Sequence, residues 1–92
     1  MTAETPTDAH TIALAALAAT LTDERRARRF LDVTGIGTGD LRRRVDDAVL
    51  LRALIGFLEA HEPDLVAVSE QIGLKPDELV ADGRSLEIED PT

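Results

Sequence analysis

The groups in this chain that could titrate, ligate or attack are few. Its two histidines are His10 and His61, and His61 stands in "EAHEPD" with Glu59, Glu62 and Asp64 close by. A metal centre needs three or four converging ligands with partners that orient them. One imidazole and three carboxylates at a junction between helices outline only a weak oxygen-rich site. Acids gather at helix starts for electrostatic reasons alone, so neither a metal nor a cofactor is expected here. His10 falls near the positive end of the first helix and reads as an exposed helix residue rather than a base. With no cysteine in the chain, thiolate catalysis, disulfides and thiolate zinc sites are excluded. Ser69, Ser85 and the threonines remain as nucleophiles, none at a sharp strand-to-helix turn. "GIGTG", at 35–39, has the glycines of a dinucleotide fingerprint without a preceding strand or the third glycine's spacing. It reads as a turn between helices. No catalytic residue is expected, and the chain reads as a non-enzyme.

Charge is more informative. Seven of the ten basic residues are Arg25, Arg26, Arg28, Arg29, Arg42, Arg43 and Arg44, a basic waist in a chain of net charge −8. Three readings compete for it. In the first, it is a solvated surface whose arginines pair with Asp23, Glu24, Asp32, Asp46 and Asp47. In the second, it docks an acidic protein partner, a task that suits arginine because its planar fork bonds carboxylates in bidentate fashion. The third, a nucleic acid or phosphate ligand, ranks last because the overall charge repels polyanions.

"VSEQIGLKPDEL", Val68 to Leu79, has the spacing of a helix-turn-helix, with Ser69 four before Gly73 and Leu79 six after it. Its second helix would offer Asp77, Glu78 and Asp82 to DNA against a single Lys75. Repulsion defeats docking in the major groove, so the stretch reads as a cap and a turn. An earlier copy around "GIGTGDLRRRV" carries the arginines. There, however, Leu31 stands where a small residue usually lets the two helices approach. Asp40 shares the short helix, and no Asn or Gln is placed to read adenine.

The elements that position these residues are helices with clear stops. Thr5, Pro6 and Asp8 suit the start of a first helix, with Leu14, Leu17 and Leu21 at helical spacing and alanines between them. Thr22 is the expected cap of a second helix whose inner stripe is Ala27, Phe30, Leu31 and Thr34, stopped by Gly35 with Ile36 folding back. A short third helix from Thr38 turns Leu41 and Val45 inward. From 46 to 60 the apolar residues Val49, Leu50, Leu51, Leu54, Ile55, Phe57 and Leu58 cover most of a fourth helix, leaving Arg52, Gly56 and Glu59 as a strip. A helix apolar almost all round is usually surrounded by others. Pro63 opens a fifth helix with Leu65, Val66, Val68 and Ile72 inside, and Gly73 stops it. "KPDEL" starts a sixth, which Gly83 ends.

Laying 8–41 over 46–79 aligns Glu24 with Glu62, Gly35 with Gly73 and Leu41 with Leu79, a faint two-fold internal repeat. The expected architecture is an all-α compact bundle of five to six helices. Its boundaries are a disordered N-terminus at 1–4, one helical domain at 5–84 and an acidic flexible tail at 85–92. A chain this short buries only roughly 60–65% of its unfolded surface, so its stability is on the order of 5–10 kcal/mol. With two Phe, no Trp and no Tyr, it has no platform for stacking single-stranded bases. The longest apolar run, from Ile12 to Ala19, is too short to span a bilayer. "MTAETPTDAH" lacks the basic and apolar regions of a secretory signal. A cytoplasmic protein without membrane contact is expected.

In "RRFLDVTGIGTGDLR" and "LIGFLEAHEPDLVAVSEQIGLKPDEL" the chain resembles a family of small all-helical alphaproteobacterial proteins catalogued only as a domain of unknown function. The resemblance runs from about Thr11 to Val80. Its specific part is "RFL-x-x-TG" at 29–35 and "GL-x-P-x-x-L" at 73–79. "GIGTGDL" stands where a proline- or acid-containing turn is more usual in that family. The resemblance implies an all-helical fold and brings no activity with it.

The expected role is a cytoplasmic protein–protein interaction or regulatory module. Its contact residues are Arg25, Arg28, Arg29, Arg42, Arg43 and Arg44, and its partner is another protein with an acidic surface. A nucleic-acid-binding regulator using the same arginines is the alternative. Self-association as a homodimer through surplus apolar surface on the first or fourth helix stays open. If the fourth helix is central, Leu54→Ala lowers the free energy of unfolding by about 2–5 kcal/mol, and an unchanged urea midpoint overturns that assignment.

Overall fold

The structure, a computed structural model, describes residues 9–45 and 47–86. Through them run α1 (Ala9–Leu21), α2 (Glu24–Thr34), α3 (Thr38–Arg43), α4 (Ala48–Ala60), α5 (Glu62–Ile72) and α6 (Pro76–Arg84). Among the described residues there is no strand, and the fold is an all-α bundle. Thr5, Pro6 and Asp8, and the stretch 1–4 expected to be disordered, lie outside the described residues.

Six of the thirteen residues of α4 are buried: Leu50, Leu51, Leu54, Ile55, Phe57 and Leu58. Helices α1, α2, α5 and α6 all pack against it, so the expected central helix is central. Val49 departs from expectation and is 51% exposed. It lies on the same exposed arc as Arg52, Gly56 and Glu59, which α6 borders through Gly83 and Arg84 without covering it, so one face of α4 is open.

α1 packs inward more through alanine than through the expected leucine stripe, of which only Leu17 is buried. Ala13, Ala16, Leu17, Ala19 and Thr20 are buried, while Leu21 is 37% exposed. Small residues on the inner face let the α1 backbone approach its neighbours closely, and the larger side chains are left at the margins. Buried Thr20 is satisfied within its own helix by donating its hydroxyl to the Ala16 carbonyl at 2.8 Å.

The link from α1 to α2 is more polar than its sequence suggests. Asp23, not Thr22, caps α2, accepting from the Arg26 N–H at 3.0 Å. Thr22 instead donates its hydroxyl to the Ala19 carbonyl at 2.7 Å. That carbonyl also accepts from Arg26 Nη2 at 2.8 Å, and Arg26 is only 7% exposed. Arg26 therefore lies in the fold rather than in the basic surface, one turn before fully buried Phe30 on the same stripe. Its Nε has no partner among the described residues.

Phe30 meets Phe57 of α4 edge to face, with ring centroids 5.5 Å apart. Two left-handed glycines, Gly35 (φ 72°) and Gly73 (φ 79°), end α2 and α5, as their positions in the sequence predict. Their closures differ. Gly35 N–H bonds the Leu31 carbonyl alone, whereas at Gly73 two bonds form, from Gly73 N–H to Glu70 and from Leu74 N–H to Ser69. The internal repeat persists in element order and in matched buried positions, Phe30 with Val68 and Leu41 with Leu79. The two turns are different devices.

Two further expectations change. Val66 is 38% exposed rather than inside. Gly83 lies within α6 and does not end it, because it is the point at which α6 crosses α4: a β-carbon there would stand 2.4 Å from Ile55 Cγ2. Leu86 is 6% exposed and joins the core.

Two measurements test this packing. Gly83→Ala should destabilise by about 1–3 kcal/mol, because β-branched Ile55 cannot retreat. Gly56→Ala, with nothing within 4 Å of the new methyl, should stabilise the folded chain by about 0.5–1 kcal/mol. Equal effects at the two glycines in urea denaturation would contradict the α4–α6 crossing. Arg26→Met should stay within about 1.5 kcal/mol of wild type, and Arg26→Ala should cost about 2–5 kcal/mol. The reverse order in the same assay would show that the charge, not the packed stem, matters at that site.

Candidate interaction site

The six arginines expected to make contact divide by what they touch. Arg29 of α2 donates from Nη2 to both carboxylate oxygens of Asp64 on α5, at 2.9 and 3.2 Å. Arg43 pairs with Asp40 within α3. Arg44 Nε lies 3.2 Å from Asp47 Oδ2, across the α3–α4 link. Arg25, Arg28 and Arg42 are exposed and have no ion-pair partner among the described residues.

Two of the three paired arginines take an acid three residues away, and Arg29 takes a distant one. Only Asp47 belongs to the set expected to pair, and Asp46 lies outside the described residues. Asp64 is thirty-five residues from Arg29, and nothing local in the sequence announces that pair. Asp23 is turned to capping. The Arg26 N–H bonded to it, chiefly, and then the nearby Arg26 charge hold its carboxyl below the usual 3.8, while partial desolvation acts the other way. Asp47 is likewise held below 3.8, first by the Val49 N–H and then by Arg44, again against some desolvation. At neutral pH both caps are therefore ionised, and each faces the positive end of its helix.

The waist does not form one pocket. Arg25, Arg28 and Arg29 line a shallow cleft of about 380 Å³ with Glu24 and Asp32. All five residues come from α2, so the cleft is the space between long side chains on one helix. Arg42 lines a different depression with Thr38 and Gly39 at the start of α3. α3 itself is attached through buried Leu41, with Ile36 and Val45 partly buried against the core. What these places offer is fixed positive charge with donors spread along two helices, suited to carboxylates on a facing surface.

His61 is committed elsewhere. Its ring lies 4.6 Å from that of Phe57, and its Nδ1 is 2.8 Å from the Phe57 carbonyl. Asp64 is held by Arg29, so the acids around His61 do not turn toward it together. Among the described residues no group of three or more His, Asp or Glu side chains is placed to hold a metal ion, and no helix is long and apolar enough to cross a membrane. Buried Ser69 Oγ has no hydrogen-bond partner among the described residues. It lies inside α5, the first helix of the helix-turn-helix lookalike, and its carbonyl accepts from Leu74 N–H in the turn. Sequence reasoning placed Arg26 among the contact arginines' neighbours. Its four-residue spacing to Phe30 was the signal that it turns inward.

No curated protein and no solved structure was found to match the chain. The family model described as "Protein of unknown function (DUF3572)" matches residues 6–87. That match takes in every helix of the bundle and both groups of arginines, and the chain belongs to this family.

Proposed function

We propose that the protein is a non-enzymatic cytoplasmic interaction or regulatory module that binds an acidic protein surface through the arginines of α2 and α3. The observation that carries this reading is the trio Arg25, Arg28 and Arg42, open to solvent and unpaired among the described residues of a chain with eighteen acids and ten bases. An acidic fold has ample carboxylates with which to neutralise its cations, and Arg29, Arg43 and Arg44 are neutralised. Arginines left open in such a chain are available to a partner's carboxylates. The surrounding negative charge repels nucleic acid at long range and restricts the partner to one that approaches this surface. The paired arginines set the backbone positions of the free ones: the Arg29–Asp64 bond ties α2 to α5, and Arg44–Asp47 spans the link between α3 and α4.

The test uses the free arginines, whose replacement leaves every observed ion pair intact. Wild type and an Arg25→Glu/Arg28→Glu/Arg42→Glu variant with an unchanged melting curve serve as baits in nuclease-treated lysate of the source cells, beside a Lys75→Glu control. The expected result is an acidic protein held by wild type and control and weakened at least about tenfold by the triple reversal, as loss of several charge-assisted contacts requires. Identical protein sets on wild type and the triple variant would sink the proposal. Recovery of nucleic acid alone when nuclease is omitted would replace it with the polyanion reading.

A further inference from the structure

We infer that the open face of α4 is a self-association surface, on which a second copy of this chain packs its own α4 antiparallel. This goes beyond the arginine-face proposal and does not rest on it, since the two use different residues on different helices.

The face consists of Val49, Arg52, Ala53, Gly56, Glu59 and Ala60, all exposed and together about a third of the helix circumference. Val49, Ala53, Gly56 and Ala60 follow one another at steps of four, three and four residues, the spacing of a seam between two helices. Arg52 and Glu59 are the only charges on it and stand seven residues apart along one edge.

That charge pattern names the occupant and its direction. A second α4 running antiparallel sets Ala53 against Gly56 of the second copy and Val49 against Ala60. In the same register Arg52 meets Glu59 of the second copy on the seam's edge, and the two-fold axis repeats both contacts. A parallel pairing would place the charges of the two copies on opposite edges of the seam, where they do not meet. The pattern is thus self-complementary in one direction alone.

Gly56 supports the same reading from another side. A glycine inside a helix is costly, and this one has nothing within 4 Å of where a β-carbon would lie. Nothing within the described fold uses its missing side chain, whereas an approaching helix would. Glu59 is held by Arg84 in the single chain, at 2.8 Å, with side chains 72% (Arg84) and 40% (Glu59) exposed. An exposed pair of this kind is worth little, so Glu59 can exchange or share its partner. One four-turn face is smaller than the roughly 800 Å² per partner of a standard interface, so the dimer is a weak one.

Sedimentation velocity on the full chain, from about 10 µM to about 2 mM, covers the dissociation constants such an interface gives. Wild type should pass from monomer to dimer across this range. Gly56→Leu, which holds the helices apart, and Arg52→Glu, which sets two carboxylates face to face at the seam's edge, should each weaken the dimer at least about tenfold. The exchange Arg52→Glu/Glu59→Arg should bring it back to within about threefold of wild type. All three changes are on the surface, so melting curves should show folded protein, and Ala53→Glu serves as a second disrupting variant if one does not fold. A monomer at every concentration, or a dimer unaffected by Gly56→Leu and Arg52→Glu, overturns the inference. So does a loss on Arg52→Glu that the double exchange fails to repair.

Discussion

The fold depends on covering α4. Of the sixteen buried apolar residues in the described core, six come from this one helix, and no other helix supplies more than four. With only two Phe and no larger ring in the chain, the core gains its apolar area from leucine, which must lie close to something to be buried at all. α1 provides that closeness by turning Ala13, Ala16 and Ala19 inward, and α6 provides it by crossing α4 at Gly83, where a single β-carbon would collide with Ile55. Both neighbours achieve coverage by being small at the contact. Phe30 does the opposite on the remaining side, filling space against Phe57 with one large ring. A domain of this size has little stability in reserve, which is why these contacts tolerate so little change.

The same packing decides what the arginines can do. Arg26 follows Phe30 into the interior because the two share a stripe, and its guanidinium ends on the Ala19 carbonyl, where it joins α1 to α2. Arg29 lies on the neighbouring arc and reaches Asp64 on α5. Each fastens α2 to a different helix, so the rest of that helix surface is held firmly without using Arg25 or Arg28. A rigid helix with exposed cations loses less freedom on binding than a flexible basic segment would. Position on the helix, more than the number of arginines, separates those that serve the fold from those available to a partner.

Much of this is legible in the residues. The two glycine stops are readable because each follows a periodic apolar stretch and precedes a restart, and both glycines take the left-handed conformation. The central place of α4 is readable from its apolar circumference. The misses share a cause: side-chain type does not tell which neighbour stands opposite. Leu21 and Val49 read as inward because they are apolar, Arg26 as outward because it is charged, and Gly83 as a stop because it is glycine. Each depends on where another helix crosses, which the local pattern does not contain. The Arg29–Asp64 pair is the same case at longer range, since the two residues become neighbours only once α5 has packed. For the candidate site, the residue types are therefore legible and their division into tied and free arginines is not.

Two helix glycines beside the α4–α6 crossing differ in why they are glycine. Gly83 and Gly56 are both interior to helices and both line the side of α4 that meets α6. At Gly83 the reason for glycine is inside the molecule, a backbone crossing too close for any side chain. At Gly56 the space is open, and helix propensity alone would favour alanine. In the proposed self-association that cost is offset by the close approach of a second α4. The proposed second copy also suits the charges beside Gly56, one of each sign and one heptad apart, because an antiparallel α4 presents the same two in the opposite order.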